Sequence, residues 1–279
     1  LLRAETNILV WWTLRKSGII ASDPDWLIPT PREVLFNLVI PVIYKKLANK
    51  YILHVKNAES QLVCVTIKDL GDLYIPSSVL KQLLQVISEQ IFPLHWDYPF
   101  FGGATICSED VVVDCGAGEG FFTLIAAKIA SRVHAIEPIP AFNMGLMKSF
   151  ERYNNVIVHE VGASNKTGYI TMLDDGIRSR LSTDERVGIK VAVVPLDELL
   201  SGEKVTFIKV DVEGMEKEVL EGARNLIAKN KPKLAVAAYH DANDVFELRK
   251  LILRIRGDYK IILRGINYKN GLPKFLYAW

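Results

Sequence analysis

The segment Val111-Val112-Val113-Asp114-Cys115-Gly116-Ala117-Gly118-Glu119-Gly120-Phe121 runs from an apolar stretch through a glycine-rich turn toward a helix-length stretch. Glycines at 116, 118 and 120 let the backbone turn tightly and approach a ligand where a Cβ would collide. A second acid, Glu137, ends the next apolar run 19 residues past Gly118. That lies near the ~20 expected of a carboxylate accepting both hydroxyls of a ribose. Cofactor contacts are therefore expected from Asp114, Gly116, Ala117, Gly118, Gly120, Phe121, Glu137 and the adjoining Pro138. Further on, the apolar run Phe207-Ile208-Lys209-Val210 meets Asp211, Val212 and Glu213 before a helix begins. Strand alternation points Asp211 and Glu213 to the same side. Carboxyl ends of parallel strands line the ligand crevice of such sheets, so both acids are expected at the reacting groups. Asp211 is also expected near the cofactor. Negative charge at a helix N-terminus is the purely structural alternative for Glu213 and Glu216. His240 follows the apolar run Lys233–Ala238, and its imidazole suits proton transfer at neutral pH. Ser164, just past the third run, is a candidate adenine contact.

A dinucleotide-binding turn uses the same physics, but its G-x-G-x-x-G would place glycine at 121, where Phe121 stands. It also needs no acid at the strand end, whereas Asp114 occupies that position. S-adenosylmethionine (SAM) carries an amino acid and a sulfonium in place of a pyrophosphate, so an acid is welcome there. A nicotinamide-dependent oxidoreductase is the less favoured reading.

These residues need a scaffold, and the pattern around them supplies one. Short apolar runs at Val111–Val113, Val133–Ile136, Val156–Val161, Val205–Val210 and Lys233–Ala238 read as buried parallel strands. Helix-length segments at Phe121–Ser131, Ile139–Tyr153 and Met215–Lys229 separate them. Tyr169–Leu173 and Lys190–Val194 are expected to pair around the polar stretch from Asp174 to Gly188. The end reads as a hairpin of Tyr259–Leu263 and Lys274–Trp279, turning at Asn270-Gly271. The expected fold class is α/β: a Rossmann-like, mostly parallel seven-stranded sheet with an antiparallel C-terminal hairpin. Residues 1–105 form an N-terminal α+β extension, and 106–279 the cofactor-binding domain. Within the extension, strands are expected at Tyr51–Val55, Leu62–Ile67 and Leu73–Ile75, and a helix at Val79–Ile91.

The segment from Val111 to about His240 resembles the FkbM family of SAM-dependent methyltransferases. The resemblance rests on Asp114-Cys115-Gly116-Ala117-Gly118-Glu119-Gly120-Phe121-Phe122-Thr123, on Glu137-Pro138, and on Val194-Pro195-Leu196-Asp197-Glu198-Leu199-Leu200. Its most specific part is Ile208-Lys209-Val210-Asp211-Val212-Glu213-Gly214-Met215-Glu216 with Val219-Leu220 and Gly222-Ala223. These motifs occur in the family's order over about half the chain. The resemblance implies a class I methyltransferase fold, SAM as cofactor, and transfer to oxygen, commonly a sugar hydroxyl in glycans, glycolipids or natural products. One departure stands out: the family's acid two residues before the histidine is absent from Ala238-Tyr239-His240. A non-catalytic SAM-binding module is the alternative that this departure supports. With methyl transfer as the reaction, His240 is the expected base, and Asp211 and Glu213 orient it or meet the acceptor. Arg178 or Arg180 in the polar insert could hold an anionic group on the acceptor, or lie in a solvated loop with charges outward.

Composition narrows the partners. With 49% hydrophobic and 24% charged residues the chain is an ordinary globular protein, not a disordered one. A formal net charge of +2 lacks the basic footprint of nucleic-acid binders, so a small-molecule or glycan acceptor is expected instead. Cys64, Cys107 and Cys115 show neither disulfide nor metal-ligand spacing, which suits a reducing cytoplasm, and no metal site is expected. The apolar run Val34–Ile43, leading into Lys45-Lys46, is too short to span a bilayer. Packing onto the catalytic domain or dimerisation is the first expectation for this N-terminal region, and peripheral membrane contact the second. No oligomeric state follows from the sequence.

Overall fold

Thr30 starts a helix by a reciprocal pair of bonds. Its hydroxyl accepts from Glu33 N–H at 3.3 Å, while the Glu33 carboxylate accepts from Thr30 N–H at 2.7 Å, and Pro31 takes the first helical position. A computed structural model describes residues 2–20, 23–91, 100–173, 180–181, 187–239, 244–267 and 271–279. In chain order, α1 (Leu2–Lys16) and α2 (Pro31–Ala48) precede a three-stranded antiparallel meander of β1 (Ile52–Asn57), β2 (Leu62–Ile67) and β3 (Gly71–Pro76). Helix α3 (Leu80–Ile91) and a small hairpin, β4 (Phe100–Phe101) with β5 (Ala104–Thr105), lead to β6 (Val111–Cys115). Then come α4 (Phe121–Ala127), β7 (Arg132–Ile136), α5 (Pro140–Phe150), β8 (Val156–His159) and β9 (Gly162–Ala163). A second small sheet joins β9 to β10 (Gly168–Leu173), β11 (Arg180–Leu181) and β12 (Ile189–Val194). The chain closes with α6 (Leu196–Leu199), β13 (Phe207–Val210), α7 (Glu216–Gly222), α8 (Arg224–Asn230), β14 (Lys233–Ala237), α9 (Asp244–Ile255), β15 (Ile261–Arg264) and β16 (Phe275–Ala278).

The main sheet has seven strands in the order β15-β16-β14-β13-β6-β7-β8, parallel from β14 to β8, with β16 antiparallel to both its neighbours. This is the class I methyltransferase architecture expected from the sequence. Alternation sorts its side chains onto two faces. Val112, Val133, Phe207 and Ala235 join one apolar cluster with β2, β3, α3, α4 and α5. Val113, Ile136, Ile208 and Val236 join the other with α7, α8 and α9. The first cluster takes in Leu73, Ile75, Leu83 and Ile87, so the N-terminal meander and α3 share a core with the glycine-rich region. Ser149 of α5 fixes that contact: its hydroxyl accepts from Tyr74 N–H at 2.7 Å.

The N-terminal region also covers the sheet edge. Trp26, only 5% exposed, bridges to Leu263, while Leu27 N–H donates to Leu263 O and Leu263 N–H donates to Asp25 O, both at 2.9 Å. Arg249 on α9 clamps this segment through both oxygens of Asp23 at 2.6 and 2.7 Å. An edge strand that would otherwise offer unpaired backbone is thereby occupied.

The elements differ from the sequence expectation where tertiary contact intervenes. The single helix expected over Met215–Lys229 is two, α7 and α8, broken beside Gly222. A Cβ on Gly222 would lie 1.9 Å from Ser164 O, so the chain passes against that carbonyl and turns there. The third run ends at His159, and Gly162–Ala163 leaves the main sheet to pair with β12. The pairing of β10 with β12 agrees with expectation, in the register Gly168 to Val193. Residues 174–179 of the polar insert, and Asn270 of the expected turn, lie outside the described residues.

Two imidazoles meet between β7 and β8. His134 Nδ1 and His159 Nε2 are 3.0 Å apart, sharing a hydrogen bond in which one nitrogen donates and the other accepts. Burial, then the neighbouring His159 ring, pushes His134 down to about 4, and burial lowers His159 as well. Between about 4 and the ordinary value near 6.5 the unfolded chain therefore binds more protons than the folded one. Stability is complete above that window and falls as pH drops through it. Urea unfolding of His134→Gln between pH 7 and 4 is expected to show a shallower loss than wild type. An unchanged slope counts against the pair.

Candidate functional site

Strand order reverses around β6: β7 and β8 lie on one side of it, β13 and β14 on the other, which opens a crevice at the carboxyl ends. Each of the strands bordering that crevice ends in a polar group: Asp114 in β6, Glu137 after β7, Asp211 after β13 and Tyr239 after β14. The glycine turn is tied to its neighbour, because Gly116 N–H and Ala117 N–H both donate to Ile136 O, at 3.0 and 3.1 Å. Gly116 has φ 78°, and a Cβ there would sit 2.0 Å from Asp211 O, so no other residue fits. Gly118, at φ 54°, faces open space on the side where a Cβ would project.

Glu137 is held beside that opening. Its Oε2 accepts from Gly118 N–H and its Oε1 from Ile139 N–H, each at 2.9 Å, while its carbonyl accepts from Asn143 Nδ2 at 2.8 Å. Burial pushes its carboxyl up to about 7 against the pull of those two N–H groups. Burial likewise raises Glu119 to about 7. Pro138 is half-buried next to Glu137. Asn143 is 2% exposed and its Oδ1 has no hydrogen-bond partner.

Asp114 is fully buried and engaged through both oxygens. Oδ1 accepts from Lys209 Nζ at 2.8 Å, and Oδ2 from Thr123 Oγ1 at 2.6 Å. The pairing follows from register, since Lys209 on β13 lies opposite Asp114 on β6 and alternation sends both to the same face. Lys209 Nζ also donates to Gly116 O at 2.9 Å and sits 5.4 Å from the Phe122 ring centre. Burial lowers the ammonium's pKa, but Asp114, Asp211 and Glu119 outweigh it, leaving Lys209 above its ordinary value. In the sequence Lys209 shows only as a residue of an apolar run, because its partner lies 95 positions away.

On the far side, Tyr239 OH donates to Asp211 Oδ1 at 3.1 Å. Burial first, then Asp211, raises the Tyr239 phenol well above its ordinary value. Glu216 is buried and holds the loop, its Oε1 accepting from Val212 N–H at 3.1 Å and Gly214 N–H at 3.3 Å. Glu213 takes φ 56° within that loop, which ends the simple alternation with Asp211. Glu89 on α3 joins the same charge cluster and was not singled out in the sequence. Gln85 Nε2 donates to it at 2.7 Å, and burial raises it to about 7, with Lys274, Asp211 and Glu119 acting on it.

The remaining expected site residues are spread out. Phe121 is wholly buried in the first apolar cluster and Ala117 nearly so, while Gly120 starts α4 at φ 86°. Ser164 is buried, its N–H donating to Val194 O at 3.1 Å. His240 and Arg178 lie outside the described residues, and of Arg180 only the backbone, in β11, is described. Among the described residues no group of three or more His, Cys, Asp or Glu is placed to hold a metal ion.

Removing one partner from a buried ion pair leaves the other charge stranded. Lys209→Met is expected to cost about 3–5 kcal/mol in urea unfolding. The double variant Lys209→Met with Asp114→Asn, which strands no charge, is expected to recover much of that loss. Equal losses in the two variants would show that the pair is not the governing contact.

The FkbM methyltransferase domain model matches residues 114–260. The crystal structure of methyltransferase FkbM from Methylobacillus flagellatus KT is similar over 96% of this chain, at 23% identity and a TM-score of 0.50. The chain spans 65% of that structure's length, less than two thirds. Weaker likenesses are an rRNA methylase from Streptococcus thermophilus (TM-score 0.43, 16% identity, 67% of this chain and 95% of that one) and M. jannaschii TYW2 in complex with AdoMet (0.39, 14%, 81% and 88%). Curated proteins give no match to the chain.

Proposed function

The chain belongs to the FkbM methyltransferase family, and from that premise we propose that it methylates a sugar hydroxyl oxygen in a glycan, glycolipid or natural product, with SAM as donor. The observation that carries the cofactor assignment is the Glu137 carboxylate fixed beside Gly118, where the backbone faces open space. The buried, unpartnered Oδ1 of Asn143 adds an acceptor close to Glu137. These residues fit SAM: Glu137 would accept from the ribose hydroxyls, and the turn from Gly116 to Gly120 with Pro138 would line the cofactor. Phe121 and Asp114 act behind that surface, Asp114 by holding the turn through Lys209 and Thr123. Ser164 stays the proposed adenine contact.

When bound, SAM supplies a methyl group already activated by its sulfonium. The chain's own work is then alignment and proton removal. Asp211, held by the Tyr239 hydroxyl, and Glu213 would orient the acceptor at the carboxyl end of β13. His240 would take the acceptor's hydroxyl proton on a ring nitrogen.

Calorimetric titration with SAM tests the cofactor reading. Wild type is expected to bind, and Glu137→Ala to bind about 100-fold more weakly, as two hydrogen bonds to a charged acceptor are lost. Ribose hydroxyls are best received by the ionised carboxylate, and Glu137 gives up its proton near pH 7. Affinity should therefore fall as pH drops below about 7, by up to roughly tenfold per unit, and Glu137→Gln should flatten the profile. An absence of heat with wild type would refute SAM as the ligand. Transfer of labelled methyl to simple methyl glycosides, with the product's O-methyl resonance read by NMR, tests the acceptor. Label on nitrogen or carbon would overturn the oxygen assignment.

A further inference from the structure

Helix α2 has two sides with opposite surroundings. Its inner side buries Val34, Ile40 and Ala48, and Glu33, the only acid in the helix, turns there to meet Arg264 Nη2 at 2.5 Å. Positions 32, 35, 39, 42 and 46 fall together on the other side of a helix with 3.6 residues per turn. All five are exposed, Leu35 to 61% and Val42 to 81%. The outer side thus reads Arg32, Leu35, Val39, Val42, Lys46: an aliphatic centre, a cation at each end roughly 21 Å apart along the axis, and no acid.

We infer that the outer side of α2 is a docking surface that lies on an anionic lipid bilayer. A contiguous exposed apolar patch on a folded protein marks an interaction site. Protein partners are usually anchored by Trp, Tyr or Arg seated in desolvated pockets. Here the centre of the patch holds only aliphatic side chains, and the nearby tryptophans are turned inward. Trp12 Nε1 donates to Pro29 O at 2.7 Å, and Trp11 lies against Gly271. A flat aliphatic centre between cations matches the acyl boundary beneath anionic headgroups. The apolar chains sink while the guanidinium and ammonium reach the phosphates. No helix among the described residues is long and apolar enough to cross a membrane, so the contact lies in the plane of the interface. The bonds of Thr30 with Glu33 and of Glu33 with Arg264 hold α2 in place, so docking orders no new helix.

Flotation of the full chain with vesicles tests this. The protein is expected to float with phosphatidylcholine vesicles containing phosphatidylglycerol, less so as salt is added, and poorly with phosphatidylcholine alone. Leu35→Ser with Val42→Ser should lower partitioning at least tenfold, and Arg32→Gln or Lys46→Gln about fivefold each. These side chains are exposed, so the melting temperature should hold in every variant, separating lost docking from lost fold. Four outcomes would overturn the proposal. They are no flotation with anionic vesicles, equal flotation with neutral ones, serine variants that float like wild type, and a dimer that the serine variants convert to monomer. SAM binding measured on the same samples keeps this result separate from the catalytic reading.

Discussion

Lys209 and Asp114 place opposite charges side by side in the middle of an apolar sheet, and that placement constrains everything near the cofactor crevice. Each buried ion loses several kcal/mol of hydration, which is offset only where its lone pairs or protons find partners. The ammonium has Asp114, the Gly116 carbonyl and the face of Phe122; the carboxylate has Lys209 and Thr123. To supply those partners, the Gly116 carbonyl must point in toward β13, and α4 must begin early enough to present Thr123 to the strand. The N–H groups of Gly116 and Ala117 then reach Ile136 O, which binds the turn to the end of β7. A slip of β13 by one residue would send Lys209 into the opposite face, among Val113, Cys115 and Val236. Register, turn and helix start are therefore set by one group of charges.

Around this pair the crevice gathers carboxyl groups. Glu89, Glu119 and Glu137 come from three separate elements, and burial raises each to about 7. Lys274 acts on Glu89, while Lys209, beside the other two, is committed to Asp114. A cationic ligand with hydroxyls to donate would favour the ionised forms, in keeping with the donor proposed above. The same logic makes Tyr239 a lasting proton donor to Asp211, because the surrounding negative charge opposes its own ionisation.

The sequence made the local chemistry legible and left the long-range chemistry hidden. The strand, glycine turn and helix from Val111 to Ala127, the acid at Glu137 and the pairing of β10 with β12 each depend on residues close in the chain or on a strong two-residue period. Lys209 carried no such signal. It sits in an apolar run, and only the β13–β6 register reveals why a cation belongs there. Glu89 carries no signal of its own in the expected helix Val79–Ile91, yet on α3 it feels the charges of Lys274 and Asp211. The break between α7 and α8 was equally silent, and the close approach of Gly222 to the Ser164 carbonyl beside it comes from far earlier in the chain. Helix α9 went unassigned because its amphipathic stretch follows His240 without a clear cap.

The N-terminal region resolves two needs of the same scaffold. A sheet that ends in β15 has an exposed edge, and the segment around Trp26 pairs with Leu263 to cover it. Arg15 extends the contact, lying 4.4 Å over the Trp26 ring while its Nε donates to Gly271 O at 3.1 Å. That solution fixes which side of α1 and α2 faces inward: Trp11 and Glu33 are drawn to the hairpin, and aliphatic residues are left outside. A helix apolar on both sides would be a liability in water. It becomes useful where a second apolar phase meets the outer side, and the cations at its two ends determine the charge which that phase must carry.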